Sequence, residues 1–298
     1  MLFLVRSIVL IFAFSLLTKI ASADDTLSTA EVMEALEESD WREPDPANLL
    51  YMQLTSGTVI IELAPDFAPR SIANIKTLAE EKYFDGLAII RSQDNYVVQW
   101  GDPAAEGETA RPIGSAEDTV APEFERSVEG IEIVPVESRD AYASAVGFAN
   151  GFPTASDGRM TWLTHCYGMV GVARDDDVSS GNGTSLYVIT GHAPRHLDRN
   201  VTLVGRVISG IEHLAVLRRG TGTMGFYDSI DAAAAIISVR LGNDVTDQET
   251  SNIEIMRTDT KAFKDYVMSK TYRFEEWFVE PTGRIEICNI NPPVRTTQ

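Results

Sequence analysis

An arginine set inside an apolar run is the feature that most restricts how this chain can fold. Ile89-Ile90-Arg91 is followed by a polar turn, Ser92 to Asn95, and then by Tyr96-Val97-Val98-Gln99-Trp100-Gly101-Asp102. A guanidinium is almost never fully buried without a partner. The stem of Arg91 therefore packs beside Ile89 and Ile90 while its head meets something polar. Gln99, across the turn, supplies an amide close to it. A strand carrying a half-buried cation and a second apolar strand returning beside it are the minimum this stretch demands.

The flanks extend that pattern. Leu49 to Thr55 and Thr58 to Leu63 surround Ser56-Gly57, as in a tight hairpin. Pro65 stops the second strand, and Pro69 suits the first turn of a helix. Ile72, Ile75, Leu78 and Ala79 follow at helical spacing, so a helix is expected to about Lys82 with Asp66 as its cap. Downstream, His165 to Arg174 and Thr184 to Thr190 read as strands, and His196 to Val207 as a turn leading into another. Gly210 to about Arg219 reads as a second helix, with Ile211, Leu214 and Leu217 inward, and Ile236 to Leu241 as a closing strand.

With these elements in order, the central stretch resembles the cyclophilin peptidyl-prolyl isomerase signature F-H-R-I-I-x-x-F-x-x-Q-G-G-D. Arg91, Tyr96, Gln99, Gly101 and Asp102 fall in register without a gap. Gly168-Met169-Val170-Gly171-Val172-Ala173-Arg174 resembles the family's G-x-V-x-M-A-R strand, Thr184 to Thr190 its S-Q-F-F-I strand, and Leu197 to Val207 its L-D-x-x-x-x-V-F-G-x-V segment. The resemblance implies a mostly β fold: a closed, eight-stranded antiparallel barrel capped by two helices. It covers roughly residues 47–244, with an insertion at about 125–164. Phe148, Phe152 and Trp162 mark that insertion as packed rather than disordered.

The ends lie outside the resemblance. Residues 1–23 read as a secretory signal: Arg6, an apolar core from Ser7 to Leu17, and Ala21-Ser22-Ala23 at the cleavage site. An uncleaved anchor is the alternative, although the apolar run is short for a bilayer of about 30 Å. Residues 24–46 form an acidic lead-in, with Val32, Leu36 and Trp41 suited to a short helix. Residues 245–298 form a C-terminal extension: a helix from Lys261 to Lys270, then an aromatic, strand-like tail from Phe274 to Cys288.

Charge and cysteines narrow the setting. The formal net charge is −19, and loss of the signal would remove Arg6 and Lys19 and take it to −21. Such acidity argues against nucleic acid, whose phosphates demand Lys and Arg. A periplasmic or secreted protein without a membrane anchor after cleavage is expected. Cys166 and Cys288 are the only cysteines. An oxidising compartment permits a disulfide between them, and two buried thiols are the alternative. Asp175-Asp176-Asp177 has neither the glycine register nor the closing glutamate of a calcium loop. His192, His196 and Asp198 lack the G-x-S-x-G elbow of a serine hydrolase.

What the resemblance implies chemically is rotation about X-Pro bonds in proline-containing polypeptides, with no cofactor and no metal. Arg91 and Gln99 match the catalytic pair. Tyr96, Val97, Tyr187 and Leu197 match the apolar proline pocket, and Ala173 and Arg174 the edge that binds substrate backbone. Ser185, His196 and Val201 stand where the family often has glutamine, tryptophan and histidine. Those departures leave a second reading, a barrel that binds proline-containing segments as a chaperone and catalyses weakly.

Overall fold

A computed structural model of the chain describes residues 27–229, 234–246, 252–273 and 275–297. The expected signal segment and Phe274 lie outside the described residues. The N-terminal lead-in holds a short helix, α1 (Thr29–Glu34), closed by a Ser28–Glu31 capping box, and a strand, β1 (Trp41–Arg42). Strands β2 (Leu49–Leu54) and β3 (Gly57–Leu63) form the expected hairpin, with Leu54 paired to Gly57. Helix α2 (Pro69–Glu80) follows, then β4 (Ala88–Ser92) and β5 (Val97–Gly101).

The insertion is a sheet in its own right: β6 (Arg126–Ser127), β7 (Val134–Val136), β8 (Ala145–Ala149), β9 (Phe152–Ser156) and β10 (Met160–Leu163), paired in the order 6-10-9-8-7. The chain then supplies β11 (Met169–Val172), β12 (Leu186–Ile189), β13 (Leu203–Ser209), helix α3 (Ile211–Ala215) and β14 (Ile236–Leu241). It finishes with β15 (Ile253–Met256), α4 (Lys261–Tyr272) and β16 (Val294–Thr296).

Eight strands pair antiparallel in the order 14-2-3-13-11-12-5-4. The end strands also meet: Gly86 N donates to Ile236 O at 2.8 Å, and Ile89 N to Ala234 O at 2.9 Å. The sheet is thus nearly closed into a barrel, the arrangement that leaves fewest unpaired edges. Alternation sorts its side chains. Leu50, Met52 and Leu54, Val59 and Ile61, and Leu186 and Val188 turn inward to one apolar cluster, which Ile72, Ile75 and Leu78 of α2 and Leu214 of α3 complete.

The outward positions are covered as well. Leu49, Tyr51 and Ile60 pack with Ile253 and Ile255 beneath the three-stranded sheet β1-β15-β16, which joins the two ends of the chain. Tyr187, Ile189, Met169 and Leu203 pack outward against Phe148 and Trp162 of the insertion and Phe263 and Tyr266 of α4. The Phe148 and Phe263 rings meet edge to face at 5.1 Å. The insertion and the C-terminal extension therefore share one core on the outside of the barrel, together with Val97 and Tyr187.

Three local expectations are corrected. Asp66 does not cap α2, whose N-cap is Ala68. The carboxylate of Glu123 does that work from a distant loop, accepting from Arg70 N at 3.0 Å, Ser71 N at 2.9 Å and Ser71 Oγ at 2.8 Å. Helix α3 stops at Ala215 rather than near Arg219, because the next segment turns back to the barrel, with Gly220 N donating to Ser92 O and Tyr227 N to Ile90 O. The tail between residues 275 and 288 is turns and a single 3-10 turn rather than a strand. Cys166 and Cys288 are joined in a disulfide that fastens this tail to the main domain.

Candidate functional site

Strands β4 and β5 set Arg91 directly beside Gln99, after a register shift between Ile89 and Arg91. Three neutral acceptors fix the guanidinium. Its Nε donates to Met224 O at 2.7 Å, one terminal nitrogen to Gln99 Oε1 at 3.2 Å, and the other closely to Gln93 Oε1. Tyr96 and Phe226 flank it, with ring centroids at 5.5 and 5.3 Å from the guanidinium carbon. Burial lowers its pKa, the Tyr96 contact opposing that effect. Arginine begins so high that the group stays charged at any physiological pH. Among the described residues no carboxylate forms an ion pair with it.

Gln99 is itself held. Its Nε2 donates to Ser185 Oγ at 3.1 Å, and Ser185 Oγ donates to Trp100 O at 3.1 Å. The short Ser185 thus orients the amide, so that Gln99 Oε1 faces Arg91.

These groups open onto a cavity of about 980 Å³. Tyr96, Val97, Tyr187, Leu197 and Val201 supply apolar surface, and Ala173, Arg174 and Ser185 also line it. Ala173 N donates to Ser185 O at 2.9 Å, and Arg174 is braced by Asn200 O at 3.0 Å and Asp175 O at 2.6 Å. Tyr83, Asp102, Glu106 and Thr184 complete its polar lining. Burial raises the pKa of the Tyr187 phenol above the usual range, as do nearby Tyr96 and Asp198, so the hydroxyl stays protonated.

Ten of the eleven residues singled out from sequence, Val201 among them, line this cavity. His196 does not. It sits in a single 3-10 turn, Arg195–Leu197, whose geometry sends Leu197 to the cavity and leaves the imidazole exposed. Met224, Phe226 and Gln93 are the contributors that sequence reasoning missed. The first two come from a loop without periodicity, which the Arg91–Phe226 bridge brings beside β4.

Comparison with known proteins identifies relatives of the chain. The family model "Cyclophilin type peptidyl-prolyl cis-trans isomerase/CLD" matches residues 49–240. A probable peptidyl-prolyl cis-trans isomerase of Brucella suis biovar 1 is 25% identical over 177 residues, which cover 59% of this chain and 74% of that protein. A Brucella abortus relative described in the same words is 24% identical over the same length. Among solved structures, cyclophilin AquaCyp293 from Hirschia baltica superposes with a TM-score of 0.68 at 24% identity, covering 86% of this chain and 93% of that one, a likeness of fold.

Proposed function

The chain belongs to the cyclophilin-type peptidyl-prolyl cis-trans isomerases, and from that premise we propose that it accelerates X-Pro rotation in exported proteins, with Arg91 stabilising the twisted imide. The amide's partial double bond sets a barrier of about 18–20 kcal/mol. No bond breaks during rotation, so rate is gained only by binding the twisted form better than either planar isomer.

As the bond twists, the prolyl nitrogen regains lone-pair character and becomes a hydrogen-bond acceptor. The Arg91 guanidinium is suited to donate to it. Its five N–H groups include three held by Met224, Gln93 and Gln99, which leaves donors for substrate. That fixed, charged group with only neutral acceptors around it is the observation that carries the reading. Tyr96, Val97, Tyr187, Leu197 and Val201 receive the proline ring. The export setting is supported by the apolar leader and by the cystine, which persists in oxidising compartments.

A protease-free assay on a short X-Pro peptide tests the proposal. Arg91→Ala is expected to lower kcat/KM by roughly 100-fold, which at about 1.4 kcal/mol per tenfold matches the loss of one preorganised donor. Equal, near-zero rates in wild type and variant, with peptide binding retained, would overturn catalysis and leave the binding-module reading.

A further inference from the structure

A buried polar chain, unused by the imide chemistry, runs from the proline pocket to the two added segments. Tyr187 Oη and His165 Nε2 are 3.0 Å apart, and the other ring nitrogen of His165 is 2.9 Å from Asp198 Oδ1. Beside a carboxylate, Nδ1 carries the proton and Nε2 accepts from the phenol. Arg195 Nε donates to Asp198 Oδ2 at 2.7 Å. Its terminal nitrogens donate to Asp140 at 2.8 and 3.0 Å, and one reaches Glu286 at 3.4 Å. His165 is fully buried and Arg195 only 3% exposed.

Asp140 lies in the insertion and Glu286 in the C-terminal extension. Glu286 also accepts from Cys288 N at 2.9 Å, and Cys288 is bonded to Cys166, the neighbour of His165. The extension therefore reaches the support of Tyr187 twice, once through an ion pair and once covalently. Gly171 leaves the ring no slack, since a Cβ there would lie 2.4 Å from Tyr187 Cζ and Oη.

We infer that the chain Glu286–Arg195–Asp198–His165 positions the Tyr187 ring, and that the C-terminal extension, pinned by its cystine, is a working part of the proline pocket. The inference rests on the isomerase reading. His165, Asp198, Arg195 and Glu286 are positioning residues: they act on substrate only through Tyr187.

A mutant cycle tests it on the full-length, oxidised protein. Cys288→Ser and Glu286→Gln are each made alone and in a Tyr187→Phe background, where the ring has lost its tether. For each variant kcat, KM and the Kd of the X-Pro peptide are measured, with near-UV circular dichroism reporting the fold. In the native background each change is expected to lower kcat/KM roughly 3- to 10-fold, mostly through KM, and to shrink below about twofold beside Tyr187→Phe, as coupled neighbours do. Folded variants with unchanged kcat/KM, or with losses that multiply independently of Tyr187→Phe, overturn the inference. Should Cys288→Ser fail to fold, Glu286→Gln, which keeps the cystine, decides alone. A wild type that binds peptide without accelerating rotation sinks the catalytic reading, and the same cycle in Kd then decides this one. Neither binding nor turnover overturns both.

Discussion

Gly171→Ala isolates how tightly the pocket floor is packed. Gly171 pairs with Tyr187 across β11 and β12, and a Cβ on it would stand 2.4 Å from the phenol carbon and oxygen. Comfortable contact needs about 3.5 Å or more, so the ring must shift by roughly 1 Å. Such a shift would disturb the geometry of the 3.0 Å Tyr187–His165 hydrogen bond. Overpacking costs about 1–3 kcal/mol, and leaving the buried imidazole unsatisfied adds about 1–3 kcal/mol. At about 2–4 °C per kcal/mol for a chain approaching this size, the thermal midpoint should fall by roughly 4–24 °C. Catalysis should suffer at the same time, because the displaced ring moves into the cavity; kcat/KM on an X-Pro peptide should drop about tenfold with KM raised. Calorimetry and the isomerisation assay together read both effects. A midpoint within 1 °C of wild type, with unaltered kcat/KM, would refute the picture of a ring held between β11 and His165.

Two further outcomes concern stability. Glu123→Ala removes the carboxylate that accepts three hydrogen bonds at the start of α2; a loss of about 1–2 kcal/mol is expected, read from the urea midpoint, with KM unchanged. The His165 pKa is lowered, chiefly by burial, with Arg195 and His196 adding to that and Asp198 opposing it. The unfolded chain therefore binds a proton there that the folded one refuses. Stability is complete above the ordinary histidine pKa of about 6.5 and declines as pH falls below it. Thermal midpoints taken downward from pH 7 should show that decline, and His165→Gln should flatten it; a slope that survives the substitution assigns it elsewhere.

The parts of the molecule that sequence made legible are those set by local periodicity. The β2–β3 hairpin, α2 and the Arg91–Gln99 pairing follow from spacings of two and 3.6 within one short window. What stayed hidden depends on residues far apart in the chain. Glu123 reaches α2 from some fifty residues away, and its acid gives no local sign of a cap. Met224 and Phe226 close around Arg91 from a loop with no apolar rhythm, and the insertion's strands are short and broken by Gly147, Gly151 and Pro153. His196 and Leu197 occupy adjacent positions of one motif, but a tight turn gives only Leu197 to the cavity. The cystine stood as one of two options until Cys166 and Cys288 were seen side by side.

The sheet that joins the chain's ends bears on how the protein comes to exist at all. Trp41 pairs with Met256 and Arg42 with Ile255, while Ile89 closes the barrel against Ala234. Ribosomes deliver these partners long after the first strands, so β1 must wait, unpaired, until residues past 255 have emerged. Pairings so distant in sequence make folding slow. The hairpin and α2 can form early, but barrel closure and the terminal sheet are late events. These long-range pairings are therefore expected to be the slow steps of this chain's own folding.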